Sequence, residues 1–111
     1  MLHPGDVVTV PFQGVTGIKQ RPAVVLSSTT YHANRPDAIL GLLTTQVAAA
    51  MTPIDYVLQD WSEAGLHRAS AFRSFLVTVP RSEILAHIGH LTEQDWKEIT
   101  VRVTLAFGTT I

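Results

Sequence analysis

Cysteine is missing from the 111 residues of this chain. Disulfide bonds and thiolate metal sites are therefore excluded, which fits a reducing compartment. Charged residues make up only 15% of the sequence and the net charge is -1, so the chain is not a generally basic nucleic-acid binder. No apolar run is long enough to cross a bilayer, and no basic segment followed by an apolar one opens the chain. We therefore expect a cytoplasmic protein without a signal peptide or membrane contact.

Motifs that bind metals or nucleotides are also absent from the sequence. Five histidines are present, yet none belongs to an HExxH or another dense ligand pattern, so a metal site is not predicted. There is no Walker loop, no GxGxxG and no GxSxG, which leaves nucleotide binding and a serine hydrolase without support. We therefore predict no metal and no cofactor, and expect any anionic ligand to be held by a local group of side chains.

Apolar residues make up 46% of the sequence. A chain of this length fits one domain, residues 1–111, with one core, and the high apolar share indicates that a partner covers part of its surface. Alternating or continuous runs of apolar and β-branched residues predict six strand-like segments. These segments are Gly5–Phe12, Arg21–Ser28, Ala38–Gln46, Ile54–Trp61, Arg68–Phe72 and Ser74–Pro80.

The connecting segments are more polar. Residues 13–20, with two glycines, and residues 28–37 predict loops, whereas residues 47–53 could hold one helical turn. Residues 81–91 are ambiguous, since their start could open a short helical turn and residues 86–91 could form a last strand.

The C-terminal segment has the pattern of a helix. Thr92 is followed three residues later by Asp95, as in a capping box, and Gly108 suits the C-terminal end. Apolar residues recur between them at helical spacing, at Trp96, Ile99, Val103 and Phe107. We therefore predict a mainly β fold with a C-terminal helix (α+β), in which six or seven mostly antiparallel strands form a small SH3-like barrel.

Basic and hydroxyl side chains stand at the ends of several predicted strands. Arg21 precedes a proline, which favours extended geometry and a position at the strand entrance, and Thr44 stands near the end of the third predicted strand. Arg68 and Arg73 flank a further strand-like piece, and His67 precedes them. Each residue alone is typical of a solvated strand end, but together on one rim they would form a local anion site.

Four segments, in this order, give the chain a family resemblance. "GDVVTVPF" resembles an opening "GD(I/V)" strand, "RPAVVLSS" an "RPA(L/V)VLS" strand, and "LLTTQ" a "TTQ" or "TAQ" strand end. "GLHRASAFRS" falls where a glycine is usually followed by "(D/E)QxRT". Across almost its whole length the sequence resembles the MazF/PemK (Kid-like) family of type II toxin–antitoxin endoribonuclease toxins, whose fold is CcdB-like.

This resemblance implies metal-independent cleavage of single-stranded RNA, in which a 2′-hydroxyl attacks the adjacent phosphate. Arg21 and Thr44 match the catalytic arginine and threonine of the family. The implied partners are RNA, a cognate MazE/PemI-like antitoxin and a second copy of the chain, in the bacterial cytoplasm. The residues that we expect to contact RNA are Lys19, Gln20, Tyr31, His32, Gln46, His67, Arg68, Ser70 and Arg73.

Two departures from the family pattern leave alternatives open. The segment between the first two strands, residues 13–20, is short and lacks the common acidic residue, and Ser70 and Ala71 replace the common Asp/Glu–Gln pair. One alternative is therefore a catalytically impaired family member. The other is a non-enzymatic toxin that binds a protein, as CcdB-like toxins do, because fold alone does not decide function.

Overall fold

The computed structural model describes residues 1–108, which form one antiparallel sheet of six strands with two helices. The strands are β1 Asp6–Gly14, β2 Gly17–Val25, β3 Asp37–Thr44, β4 Tyr56–Val57, β5 Ala71–Pro80 and β6 Ala86–His90, and the helices are α1 Thr29–Asn34 and α2 Glu93–Ala106. The order across the sheet is β4-β5-β3-β2-β1-β6. The predicted fold class, mainly β with a C-terminal helix, is thus confirmed. No helix within residues 1–108 is long and apolar enough to cross a membrane.

The predicted loop over residues 13–20 is wrong, because most of it extends β1 and β2 into a long hairpin. The two strands pair up to Gly14 and Gly17, so only residues 15–16 form the turn. Residues 13–20 are mostly exposed, so their sequence lacks the alternation of apolar and polar residues that would predict a strand. Arg21 consequently lies in the middle of β2 and not, as predicted, at its entrance.

The predicted strand Ile54–Trp61 is reduced to the two residues of β4. Two backbone N–H groups later in this segment donate to a side chain and not to a neighbouring strand. The carboxylate of Asp95 accepts the N–H of Gln59 at 3.1 Å and the N–H of Asp60 at 2.9 Å. The two strand-like pieces predicted after it are one continuous strand, β5, which begins at Ala71.

A short helix, α1, replaces part of the loop predicted for residues 28–37. Ser28 caps its first turn by accepting the N–H of Tyr31 at 3.1 Å. The expected helical turn in residues 47–53 is a 3₁₀ turn at Val47–Ala49, and residues 81–91 contain both a 3₁₀ turn and the last strand, β6.

The C-terminal helix α2 begins as predicted, with Thr92 accepting the N–H of Asp95 at 3.4 Å. It ends at Ala106, so Phe107 lies just beyond the helix, half exposed, with Gly108 after it. The buried Tyr56 hydroxyl donates to the Asp95 carboxylate at 2.5 Å and joins α2 to β4. Burial, together with this negative charge, raises the pKa of Tyr56.

The sheet has an apolar cluster on each face. The first cluster lies beneath α2 and comprises Val7, Val24, Leu43, Tyr56, Leu58, Ala64, Leu66, Phe72, Leu91 and Ile99. The second comprises Val8, Val10, Ala23, Val25, Ala38 and Leu40 on the opposite face, with Leu42, Val77 and Val79 packed against it. Paired residues of antiparallel strands share a face, so this alternation also decides on which face each polar side chain lies.

The sheet curls, and the loop after β4 reaches β6 at the opposite edge of the sheet. Backbone atoms of Ala64 and Gly65 contact backbone atoms of Ile88 and Gly89 so closely that a Cβ on either glycine would overlap them. Irregular registers between β1 and β6 and between β3 and β5 accompany the curl, as expected of β-bulges. The sheet thus resembles a half-barrel in which the β4 loop, rather than a seventh strand, spans the gap.

Candidate active site

Arg21 and Thr44 meet where β2 and β3 separate. The two strands pair from Val25 with Leu40 to Ala23 with Leu42, and the ladder ends beside Pro22. Continued by two residues, the same register places Arg21 opposite Thr44, on the face of the second apolar cluster. Because the strands no longer pair at this point, both side chains border an open pocket of about 280 Å³.

The hydroxyl of Thr44 is oriented by the turn that follows β3. Its Oγ1 accepts the N–H of Gln46 at 3.1 Å. A threonine hydroxyl has one proton to donate in addition to its acceptor lone pairs. Since the backbone of Gln46 uses one acceptor position, the hydroxyl proton remains available to a bound ligand in the pocket.

The guanidinium of Arg21 stacks on an aromatic ring from the neighbouring strand. Its Cζ lies 5.1 Å from the ring centroid of Phe12, within cation–π distance. Phe12 pairs with Lys19, two residues before Arg21 on β2, so the contact runs diagonally across the hairpin. The ring holds the guanidinium beside the pocket, and a guanidinium can bind an anion through the N–H groups in its plane.

Two further pockets, each of about 230 Å³, adjoin the first. One shares Arg21 and Thr44 with it, and the other shares Pro22 and Thr45. We call these three pockets together the cationic groove. It wraps around the open end of the β2–β3 ladder, because the paired residues Thr9 and Pro22 in the last pocket lie on the face of the first apolar cluster, opposite to Arg21 and Thr44. Four of the eight Lys and Arg residues of the chain line it, and among residues 1–108 no aspartate or glutamate does: the four are Lys19, Arg21, Arg68 and Arg73. A protein of net charge -1 therefore has a locally positive surface.

Arg73 enters the groove from β5, on the side opposite Arg68. Its guanidinium Cζ lies 5.3 Å from the ring centroid of Phe75, and its Nε lies 3.6 Å from Oδ1 of the buried Asp55. Burial alone would raise the pKa of the Asp55 carboxyl, but hydrogen bonds from Thr52 and the charge of Arg73 outweigh it and lower this pKa. Asp55 is therefore ionised at neutral pH behind the Arg73 guanidinium.

Comparison with known proteins assigns the chain to a family. Residues 3–107 match the family model described as PemK-like, MazF-like toxin of type II toxin–antitoxin system. The chain belongs to this toxin family. No curated protein sequence matches it.

Solved structures with the same fold carry related names. An endoribonuclease in complex with its cognate antitoxin, from a mycobacterial species, superimposes with a TM-score of 0.83 at 16% identity, covering 100% of this chain and 99% of that one. Mycobacterium tuberculosis toxin MazF-mt6 gives 0.77 at 16% identity, with 96% and 99% covered. MazE–MazF from Deinococcus radiodurans gives 0.77 at 17% identity, with 98% of each chain covered. At these identities the likeness establishes the fold.

Some of the residues predicted to bind RNA in this PemK-like toxin lie in the cationic groove. Besides Arg68 and Arg73, it is lined by Lys19, Gln20, Gln46 and His67. Ser70 also borders it, but this side chain is only 2% exposed. Its hydroxyl donates to the carbonyl of Arg68 at 3.0 Å. Ser70 therefore shapes the loop that presents Arg68 and has little surface to offer a ligand.

Tyr31 and His32, predicted to read RNA bases, are not brought to the groove. Both lie on α1, where the Tyr31 hydroxyl donates to Asp37 at 3.3 Å and a His32 ring nitrogen lies 2.6 Å from the Ser27 hydroxyl. Asp37 begins β3 and Thr44 ends it, a separation of roughly 23 Å at about 3.3 Å per residue. An RNA bound along the groove would need to extend across the sheet to reach them.

Sequence inspection missed two aromatic residues that line the groove, Phe12 and Phe75. Phe75 is 58% exposed, unusual for a large aromatic side chain, and single-stranded RNA is often bound by base stacking on such rings. The only signal was that Phe75 lies close to Arg73 in a strand-like segment, whereas Phe12 has no Lys or Arg near it in the sequence.

Away from the groove, histidines surround the carboxylate of Asp6. His90 Nδ1 lies 2.8 Å and His87 Nε2 3.4 Å from its Oδ1, while the backbone N–H of His3 donates to Oδ2 at 2.8 Å. Burial opposes ionisation, but these contacts together lower the pKa of Asp6. Across residues 1–108, no group of three or more His, Asp or Glu side chains has the arrangement of a metal site.

Proposed function

We propose that this toxin is a metal-independent endoribonuclease that cleaves single-stranded RNA at the cationic groove. The observation that carries the proposal is the register that sets Arg21 opposite Thr44, where the β2–β3 ladder opens into the groove. A guanidinium and a hydroxyl converging on one pocket are suited to bind a phosphodiester through several donors. The family membership supports the same assignment, and the superimposed structure named as an endoribonuclease with its cognate antitoxin agrees with it.

The chemistry follows from what the two side chains can donate. The RNA 2′-hydroxyl attacks the adjacent phosphorus, so a P–O2′ bond forms and the P–O5′ bond breaks. The products are a 2′,3′-cyclic phosphate and a 5′-hydroxyl, with one proton lost from O2′ and one gained by O5′. Because a guanidinium remains protonated in proteins, Arg21 stabilises the negative charge that develops on the phosphate oxygens. The Thr44 hydroxyl donates a hydrogen bond to a further phosphate oxygen and helps to hold the phosphate in line with the attacking 2′-hydroxyl.

Cleavage of a long single-stranded RNA in the presence of EDTA tests this proposal directly. We expect discrete fragments with 5′-hydroxyl ends, and sequencing of those ends would give the cleavage motif. An RNA with a 2′-deoxy residue at the scissile position should remain intact, because the attacking group is missing. If expression of the toxin inhibits growth but the purified protein leaves RNA intact, a CcdB-like toxin that binds a protein would be favoured instead. If it does neither, it is an impaired family member.

An antitoxin partner and a homodimer belong to the same proposal. Superimposed structures named as an endoribonuclease with its cognate antitoxin and as MazE–MazF have this fold. An acidic, flexible antitoxin segment would complement the cationic groove and exclude RNA from it. We expect a small acidic protein encoded beside this toxin to bind it and restore growth. Light scattering at micromolar concentration should give the mass of a dimer, and we expect both proteins in the bacterial cytoplasm.

A further inference from the structure

The strand β5 contains a bulge at the point where it passes the groove. Gly41 of β3 pairs with Leu76 and Leu43 pairs with Phe72, so the three residues of β5 from Arg73 to Phe75 face Leu42 alone. The middle residue, Ser74, has a φ of +60°, a left-handed conformation that costs a non-glycine residue about 1–2 kcal/mol. Bulges of this kind redirect side chains next to active sites. Here both Arg73 and Phe75 line the groove.

Two contacts with the segment before β4 hold the bulge in place. The Ser74 hydroxyl donates to the carbonyl of Ile54 at 2.8 Å, and the next residue, Asp55, carries the carboxylate that faces Arg73. The carboxylate is fixed in turn, because its Oδ2 accepts both the N–H and the hydroxyl of Thr52 at 2.9 Å. Its other oxygen, Oδ1, is left to face the guanidinium.

Asp55 is only 7% exposed, so this ion pair is shielded from solvent on the carboxylate side. The Arg73 side chain is 30% exposed, and its Nε has no hydrogen-bond partner within residues 1–108. Asp55 thus attracts the Nε edge of the guanidinium from behind, while the Phe75 ring lies against its face. The remaining N–H groups are left to point into the groove that Arg21 and Thr44 share.

We propose that Asp55 is a positioning residue, which holds the Arg73 guanidinium opposite Arg21 so that two cations bind one phosphodiester from different sides. The inference rests on the proposed function, since Arg73 and not Asp55 would touch the RNA. Misplacing such a group by about 1 Å reduces rates by up to about 100-fold. An ionised carboxylate 3.6 Å from the guanidinium restricts it far more than a neutral amide does.

Asp55→Asn tests this role, because the amide oxygen can still accept from Thr52 while the negative charge is lost. We expect single-turnover cleavage at saturating RNA to slow by about 10- to 100-fold. Arg73→Ala should slow it at least as much, and the double variant should be no slower than Arg73→Ala alone, because Asp55 acts only through Arg73. Asp6→Asn is the matched control: it also neutralises a buried carboxylate that lies beside basic groups, and cleavage should stay within about twofold of wild type.

A measurement that does not depend on activity separates this inference from the proposed function. NMR should show the Arg73 Nε–H signal protected from exchange in wild type and in Asp6→Asn, and exchange-broadened in Asp55→Asn. An unchanged Arg73 signal in Asp55→Asn would overturn the positioning role. Losses that multiply in the double variant would overturn it too. A wild type that does not cleave RNA refutes the proposed function, and the NMR signal still decides whether Asp55 holds Arg73.

Discussion

Replacing Arg21 by alanine should slow RNA cleavage by about two to three orders of magnitude while RNA affinity changes little. Loss of one preorganised donor to a developing oxyanion typically costs about 3–4 kcal/mol in the transition state. Arg21 is partly buried, lies within cation–π distance of Phe12 and borders the same pocket as Thr44, which is why we propose this role for it. Arg21→Lys should recover little activity, because an ammonium is a point charge and does not form the planar fork.

Graded variants around Arg21 make the reasoning quantitative. Phe12→Leu removes only the cation–π support, worth about 0.5–1 kcal/mol at an exposed site, and should slow cleavage by about two- to fivefold. Thr44→Val removes a hydrogen bond to a charged group, worth about 1.5–3 kcal/mol, and should slow it by about 10- to 150-fold. Thr44→Ser keeps the hydroxyl and should retain most of the activity.

The assay is single-turnover cleavage of a short RNA, with affinity measured separately on an analogue that carries a 2′-deoxy residue at the scissile position. Arg21→Ala should change the cleavage rate far more than the affinity. Equal losses in both would mean that Arg21 only binds the substrate, and near-normal cleavage by both Arg21→Ala and Thr44→Val would refute this site.

Three further predictions concern the fold. Tyr56→Phe should lower the free energy of unfolding by about 1.5–3 kcal/mol in urea titrations, because it leaves the buried Asp95 carboxylate without its hydroxyl donor. Gly65→Ala should destabilise the protein more than Gly17→Ala does, since a Cβ at residue 65 would overlap the β6 backbone. Gly17 is also at positive φ but has open space around it, so Gly17→Ala should cost only the backbone strain, about 1–3 kcal/mol. The pKa of Asp6 in the folded protein lies below its ordinary value of 3.8. The ionised Asp6 therefore stabilises the fold above pH 3.8, and this stabilisation is lost as the pH falls through the lower pKa of the folded state. Asp6→Asn should accordingly make the free energy of unfolding depend less on pH in acid.

Local sequence signals predicted those features that depend on a few neighbouring residues. The capping pair at Thr92 and Asp95 predicted the start of α2, and the alternating apolar residues predicted most strands. The two proposed catalytic residues, Arg21 and Thr44, were singled out from short motifs, and the register places them on one pocket. The sequence contains no local signal for that register, because the pairing of β2 with β3 is set across the α1 connection.

The features that sequence inspection missed depend on tertiary contacts. Asp95 binds the backbone of Gln59 and Asp60 from 35 or more residues away, and this contact ends β4 early. The bulge at Ser74 is held by the carbonyl of Ile54, 20 residues earlier, and a local propensity cannot show it. Ser28 was a missed local signal, since an N-cap serine is typical of a helix start.

The pairing of β2 with β3 has a consequence for how this chain can tolerate insertions and deletions. Every paired position of the two strands has residue numbers that sum to 65, and Arg21 and Thr44 keep that sum. Deleting one residue between Arg21 and Ala23 would shift Arg21 by one position along β2. Because side chains alternate between faces, its guanidinium would then lie on the opposite face of the sheet. Adding residues to the α1 connection, or to the hairpin turn at residues 15–16, would leave Arg21 and Thr44 on the same face. Length variation should therefore be tolerated in both connections, and should abolish activity within residues 21–23 of β2 and residues 42–44 of β3.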